Sequence, residues 1–198
     1  KIKTPNIDRL ASQGMRMLQH YTGAPVCAPA RCTLLTGQHL GHAEIRSNRS
    51  CENDRQFPGQ WPLSDSIVTI AEVLQEAGYA TGAFGKWGLG GPGSEGEPLR
   101  QGFDRFFGYN CQRHAHSYYP DYLWSDNKRI PLNNTPPIPG HAKLPDGADP
   151  ADPRSYDQFK GQEYAPDRIR DEALNFIDQH QAEPFFLYYP TVLPHVAL

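Results

Sequence analysis

In "APVCAPARCTLLTG" (residues 24–37), Cys27, Pro29 and Arg31 stand at alternate positions, directly ahead of an apolar pair and a Thr-Gly. A helix read from about Pro29 to Thr36, with Gly37 as its stop, sets the thiol at its N-terminus. Unpaired N–H groups and the positive end of the helix dipole gather there, so the position attracts anions. A cysteine so placed is more reactive than an ordinary one, and Arg31 adds a fixed positive charge beside it. Pro29 lacks an N–H and holds its φ angle, which fixes the turn. These residues describe an activated sulfur group facing a bound anion. The plainer alternative is a buried cysteine near a helix start, with a solvated arginine.

Three more side chains have chemistry to offer. Lys86, in "GYATGAFGKWGLG" (78–90), lies just beyond an expected strand, where open α/β sheets place their ligand sites. A compact ammonium there suits an oxygen of a tetrahedral anion, whereas the alternative is a lysine snorkelling at the surface. In "CQRHAHSYYPDYLW" (111–124), His114 and His116 would share one face of an extended segment. Either histidine suits acid or base work near neutral pH. A zinc pair is a weaker reading because no suitable third ligand is evident, and a loop pair without a role is the bland one.

The elements that must carry these residues read as α/β. "TPNIDRLASQG" (4–14) is a helix, with Thr4 as cap, Pro5 in the first position and Ile7, Leu10 and Ala11 on one face. "MRMLQHYT" (15–22) alternates loosely, as a half-buried strand would. In "TIAEVLQEAGY" (69–79), Thr69 and Glu72 form a capping box and Ile70, Val73, Leu74 and Ala77 an apolar stripe. "YATGAFG" is a short buried strand. "APDRIRDEALNFIDQH" (165–180) is a helix with Ile169, Ala173, Phe176 and Ile177 inward, and it leads into the strand "PFFLYYP". Strand and helix in repeated succession predict a largely parallel sheet. The seven prolines between Pro131 and Pro153 predict a surface excursion over 131–153.

Composition excludes several classes. The 198 residues carry a formal charge of -3, which is no footprint for nucleic acid. No apolar run reaches membrane-spanning length, and "KIKTPNIDRL" lacks the core of a signal peptide. Four cysteines (27, 32, 51 and 111) without a C-x-x-C make neither a disulfide scaffold nor a zinc ribbon. Cys32 reads as a packed helix residue.

"CAPARCTLLTG" resembles the sulfatase signature, C-x-P-x-R followed by an apolar pair and Thr-Gly, and "GYATGAFGKWGLG" is similar to the second signature of that family. "TPNIDRLASQGMRMLQHY", "QGFDRFFGY" and "PFFLYYPTVLPH" are similar to further family segments in the expected order. The resemblance implies an alkaline-phosphatase-like three-layer α/β sandwich, with residues 1–198 as part of the catalytic domain. The resemblance also implies that the family's first strand and C-terminal part would lie outside these residues, as for the middle of a sulfatase. It implies an enzyme that cleaves sulfate esters, on sulfated carbohydrates such as polysaccharides. A formylglycine-generating enzyme would oxidise Cys27 to an aldehyde, whose hydrated diol attacks sulfur; its second hydroxyl then releases the sulfate.

Arg31 would hold that diol, Lys86 would bind a sulfate oxygen, and His195 would contact the sulfate or the leaving oxygen. Calcium or another divalent cation would be bound through the diol oxygen of Cys27, with an Asp-Asp and an Asp-Asn pair that would lie outside this chain. Asp126-Asn127 falls in the wrong region for that role. A periplasmic or secreted setting follows from the same resemblance. The sequence departs from the family at Gly88, where a histidine usually follows "GKW". His116, ahead of His114, is the expected replacement. The rival readings are a phosphonate or phosphate ester hydrolase of the same superfamily, a sulfated-glycan binding protein without catalysis, and a structural domain with a Cys27–Cys51 disulfide.

Overall fold

The computed structural model describes residues 2–49 and 60–195. Four helices and five strands run in the order α1 (Pro5–Gln13), α2 (Cys27–Thr36), α3 (Ile70–Glu76), β1 (Ala80–Lys86), β2 (Arg105–Tyr109), β3 (Tyr122–Ser125), β4 (Lys128–Pro131), α4 (Ala165–Gln179) and β5 (Phe185–Tyr188). The strands form one mixed sheet in the order β4-β3-β2-β1-β5. β2 and β5 flank β1 in parallel, while β3 and β4 add an antiparallel hairpin at the β2 side. The parallel arrangement expected from the sequence therefore holds for β1, β2 and β5, which long connections join. The hairpin follows from the tight turn at Asp126-Asn127, too short for a crossover.

Successive residues of β1 and β2 point to opposite faces and divide the core in two. Ala83 and Phe106 join Ala28, Cys32 and Leu35 of α2 and Ala71 of α3 on one face. Phe84 and Phe107 meet Ile169, Ala173 and Phe176 of α4 on the other, with the Phe84 and Phe176 rings 5.4 Å apart. The result is the three-layer α/β/α sandwich.

Local signals and burial agree unevenly. The capping box of α3 is present, with the Thr69 hydroxyl accepting from Glu72 N–H at 3.3 Å and the Glu72 carboxylate accepting from Thr69 N–H at 2.7 Å. Its expected stripe is not the buried face, because Ala71 is buried while Ile70 and Val73 are exposed. α1 forms where expected, but none of its residues is buried. The Thr4 hydroxyl bonds to the Asp8 carboxylate at 3.0 Å rather than capping the backbone. Residues 15–22 are exposed and form no strand, since none of the five strands pairs with them. Period alone reports an amphipathic segment; what covers it is a tertiary matter.

β1 is tied to β2 at its start by Asp104. Its carboxylate accepts from Thr81 N–H at 2.9 Å and from the Gln75 amide at 2.6 Å. Burial pushes this carboxyl up, but the hydrogen bonds from Thr81 and Gln75 outweigh it and hold it below the ordinary aspartate value. Folding thus gains stability from the ionised form at pH values above the unfolded aspartate range, and loses it as pH falls through the lower folded value. Asp104→Ala is expected to cost about 1–2 kcal/mol in urea unfolding and to flatten the acid limb of the stability profile. An unchanged limb would remove Asp104 from that role.

Candidate active site

The site gathers where the three parallel strands end. Lys86 is the last residue of β1, Gln112 and His116 follow β2, and His195 follows β5. Backbone hydrogen bonds lock these ends together: Lys86 N–H to the Pro190 carbonyl at 2.9 Å, Trp87 N–H to Tyr109 at 2.9 Å, and Gly88 N–H to Asn110 at 3.0 Å. The carboxyl edge of a parallel sheet is the usual ligand site of such folds. α2 brings Cys27 to this edge. The helix starts at Cys27 itself, two residues before the sequence reading, after an extended Val26.

The half-buried Cys27 sulfur lies 3.5 Å from Lys86 Nζ. Lys86 is 4% exposed, so its ammonium is nearly removed from water. Burial lowers its proton affinity, and Cys27 pulls the other way. Arg31 is held at both sides of its fork, donating from Nε to the Trp87 carbonyl and from Nη2 to Gln112 Oε1 at 3.0 Å. Two cations thus converge on one sulfur, a setting for an anion. Cys27 lines a cleft of about 1060 Å³ with Arg31 and His195, and a second of about 300 Å³ with Asn48, Gln112 and His116.

His114 and His116 do not share a face. The segment His114–His116 is a turn of 3₁₀ helix rather than extended chain, so the two side chains diverge. His114 packs against the Tyr122 ring at 4.3 Å and the edge of Tyr109 at 5.4 Å, with Nε2 3.6 Å from Asp121. Burial lowers its proton affinity, with the Asp121 carboxylate opposing. It lines neither cleft that contains Cys27. His116 instead meets two other histidines. Its ring stacks on His195 at 4.7 Å, and its Nδ1 lies 2.8 Å from His141 Nε2. Burial, then the Lys86 ammonium and the neighbouring histidines, pushes His116 down to about 4, so the ring is neutral at pH 7.

Gln112 and His141 escaped the sequence reading. Gln112 sits two residues before His114 in the segment already singled out, but nothing in a lone glutamine announces a partner 81 positions away. His141 lies in the proline-rich stretch, where composition pointed to the surface. Cys51, named in the disulfide reading, lies outside the described residues; Cys27, Cys32 and Cys111 are free thiols.

Gly88 has a structural reason to be glycine. Its φ is 78°, and a Cβ there would lie 2.6 Å from Arg31 Nη2 and 3.4 Å from the Gln112 side chain. The Arg31–Gln112 pair fills the space that a histidine side chain would need. Gly88→Ala is expected to cost about 1–2 kcal/mol through the left-handed backbone alone and to displace the Arg31 guanidinium. Thermal unfolding and the affinity for inorganic sulfate should both weaken. A Gly88→Ala protein with wild-type values in both would contradict this packing.

Lys86, His116 and His195 lie at the carboxyl edge of the sheet, and the helix-borne Cys27 lies beside Lys86 and Arg31, in an α/β domain. The sulfatase family model matches residues 1–198, and the chain belongs to that family. It is similar to N-acetylgalactosamine-6-sulfatase of Canis lupus familiaris, 32% identical over 205 residues that cover 98% of this chain and 35% of that protein. It is also similar to human arylsulfatase G, 44% identical over 105 residues, 53% of this chain and 19% of the relative. Among solved structures, one described with the metabolism of multiple glycosaminoglycans by Bacteroides thetaiotaomicron matches with a TM-score of 0.68 at 28% identity, covering 98% of this chain and 46% of that one. Another, in complex with its substrate D-glucosamine-2-N,6-O-disulfate, matches with a TM-score of 0.64 at 28% identity, covering 98% and 30%. The chain therefore spans about a third of the curated relative that it matches end to end.

Proposed function

We propose that the full-length protein hydrolyses sulfate esters of carbohydrates, with Cys27 matured to formylglycine by a formylglycine-generating enzyme. The observation that carries this reading is the approach of Lys86, 59 positions away in sequence, to Cys27 at the head of α2, beside Arg31 of the same helix, which its bond to the Trp87 carbonyl holds in place. The cysteine sulfur here stands in for the oxygens of the hydrated aldehyde, which would supply the nucleophile and the means of sulfate release. Lys86 binds a sulfate oxygen. Arg31, pinned by Trp87 and Gln112, keeps its charge beside residue 27. His116 handles the proton in the place of the histidine usual after "GKW", and His195, stacked on it, contacts the sulfate or the leaving oxygen. The relatives with sulfated amino sugars in their names support the substrate class. An extracytoplasmic setting belongs to the same proposal.

The residues around Cys27 do not by themselves fit a calcium cage. The charged side chains brought to its sulfur are cations, and among the described residues no three His, Cys, Asp or Glu side chains are grouped to hold a metal. Calcium takes 6–8 oxygen ligands, so a divalent cation in the full-length protein would need further donors.

The test is mass analysis of the Cys27 peptide after co-expression with the maturing enzyme, followed by release assays with sulfate and phosphate esters of one sugar. Formylglycine at residue 27 with preferential sulfate release is expected. An unmodified, inactive thiol would favour a binding protein, and preferential phosphate release would favour a phosphoesterase.

A further inference from the structure

We propose that His141, delivered by the proline-rich stretch 131–153, is a positioning residue that holds the His116 ring in one tautomer and one orientation at the Cys27 cleft. The inference rests on the proton-handling role given above to His116. His141 Nε2 meets His116 Nδ1 at 2.8 Å, with ring centroids 4.4 Å apart and planes at 73°. A hydrogen bond to one ring nitrogen decides the protonation of the other, so engaging Nδ1 defines what Nε2 offers to a ligand. His195 packs flat against the same ring, at 16° between planes, and closes off a second direction of movement.

The stretch that carries His141 is built against this spot. A Cβ on Gly140 would lie 2.5 Å from His116 Cβ and 2.7 Å from its carbonyl oxygen, an approach only glycine permits. The Ser117 hydroxyl donates to the Ile138 carbonyl, and Ile138 N–H donates to the Tyr119 carbonyl at 3.0 Å. His141 itself has φ 59°, a left-handed conformation uncommon outside glycine. Residues 138–141 are thus docked along 116–119, while most of the excursion lies exposed at the surface.

The experiment compares His141→Phe, His141→Gln and His116→Ala in the full-length matured enzyme. Phenylalanine keeps the ring and removes the hydrogen bond, so kcat should fall roughly 3–10-fold with KM unchanged. Glutamine both donates and accepts, and should restore most of the loss whichever tautomer is used. In the His116→Ala background, His141→Phe should cost nothing further. Ring-nitrogen NMR, with the His116 signals identified by their loss in His116→Ala, should show one tautomer in the wild type and a mixture in His141→Phe. Unchanged ring-nitrogen shifts in His141→Phe would overturn the inference, as would an equal loss of kcat in both backgrounds. If the shifts respond as expected while His116→Ala keeps full kcat, the positioning contact stands and the catalytic reading of His116 falls.

Discussion

Cys27→Ala in the full-length enzyme is expected to reduce turnover of a sulfate ester by on the order of 10⁶-fold, the scale of losing a covalent nucleophile. The substitution removes the sulfur whose replacement by oxygen turns Cβ into the aldehyde carbon, while Lys86 and Arg31 remain to bind the anion. Substrate affinity should therefore survive better than turnover. The protein should also stay folded. Cys27 is only half-buried, and the core side of α2 is formed by Ala28, Cys32 and Leu35, so the cost in stability should stay under about 1 kcal/mol. Cys27→Ser should be poor as well, because a serine hydroxyl can attack once but cannot form the diol that expels sulfate. The check is sulfate release by folded, purified variants, with circular dichroism and urea unfolding alongside. Substantial turnover by Cys27→Ala would sink the formylglycine assignment.

His116→Ala should lower kcat by about 10²–10⁴-fold, the usual contribution of a positioned acid or base. KM should move far less, since proton transfer matters mainly in the transition state. His114→Ala provides the contrast. His114 is wedged between Tyr109 and Tyr122 and lines neither cleft with Cys27, so its removal should show in the unfolding midpoint rather than in kcat. Steady-state kinetics and thermal unfolding of both variants separate the two. A larger kcat loss in His114→Ala would transfer the role, and small equal losses would release both histidines from the chemistry.

The local elements were legible because their causes are local. The Thr69–Glu72 box, the Gly37 stop of α2 and the apolar period of α4 each depend on residues within a turn or two of one another, and each appears in the structure. The two signature stretches likewise carry Cys27, Arg31 and Lys86 within short motifs. Burial was less legible. The apolar positions of α1 and α3 follow helical spacing, yet Ile7, Leu10, Ile70 and Val73 are exposed, since spacing does not say which neighbour will cover a face.

By itself, then, the sequence determined the α/β class, the family, and the helix that sets Cys27 at its head. The tertiary structure alone decided how the site is assembled. A parallel sheet brings the ends of β1, β2 and β5 to one edge, and only that registry places Lys86, Gln112, His116 and His195 around a helix from elsewhere in the chain. It turned "HAH" into a 3₁₀ turn that sends one histidine into aromatic packing and the other to the cleft. It also carried His141 across from a proline-rich stretch, through a glycine contact that no periodicity encodes. Contacts between residues distant in sequence depend on how whole elements dock, and no local pattern of side chains records that.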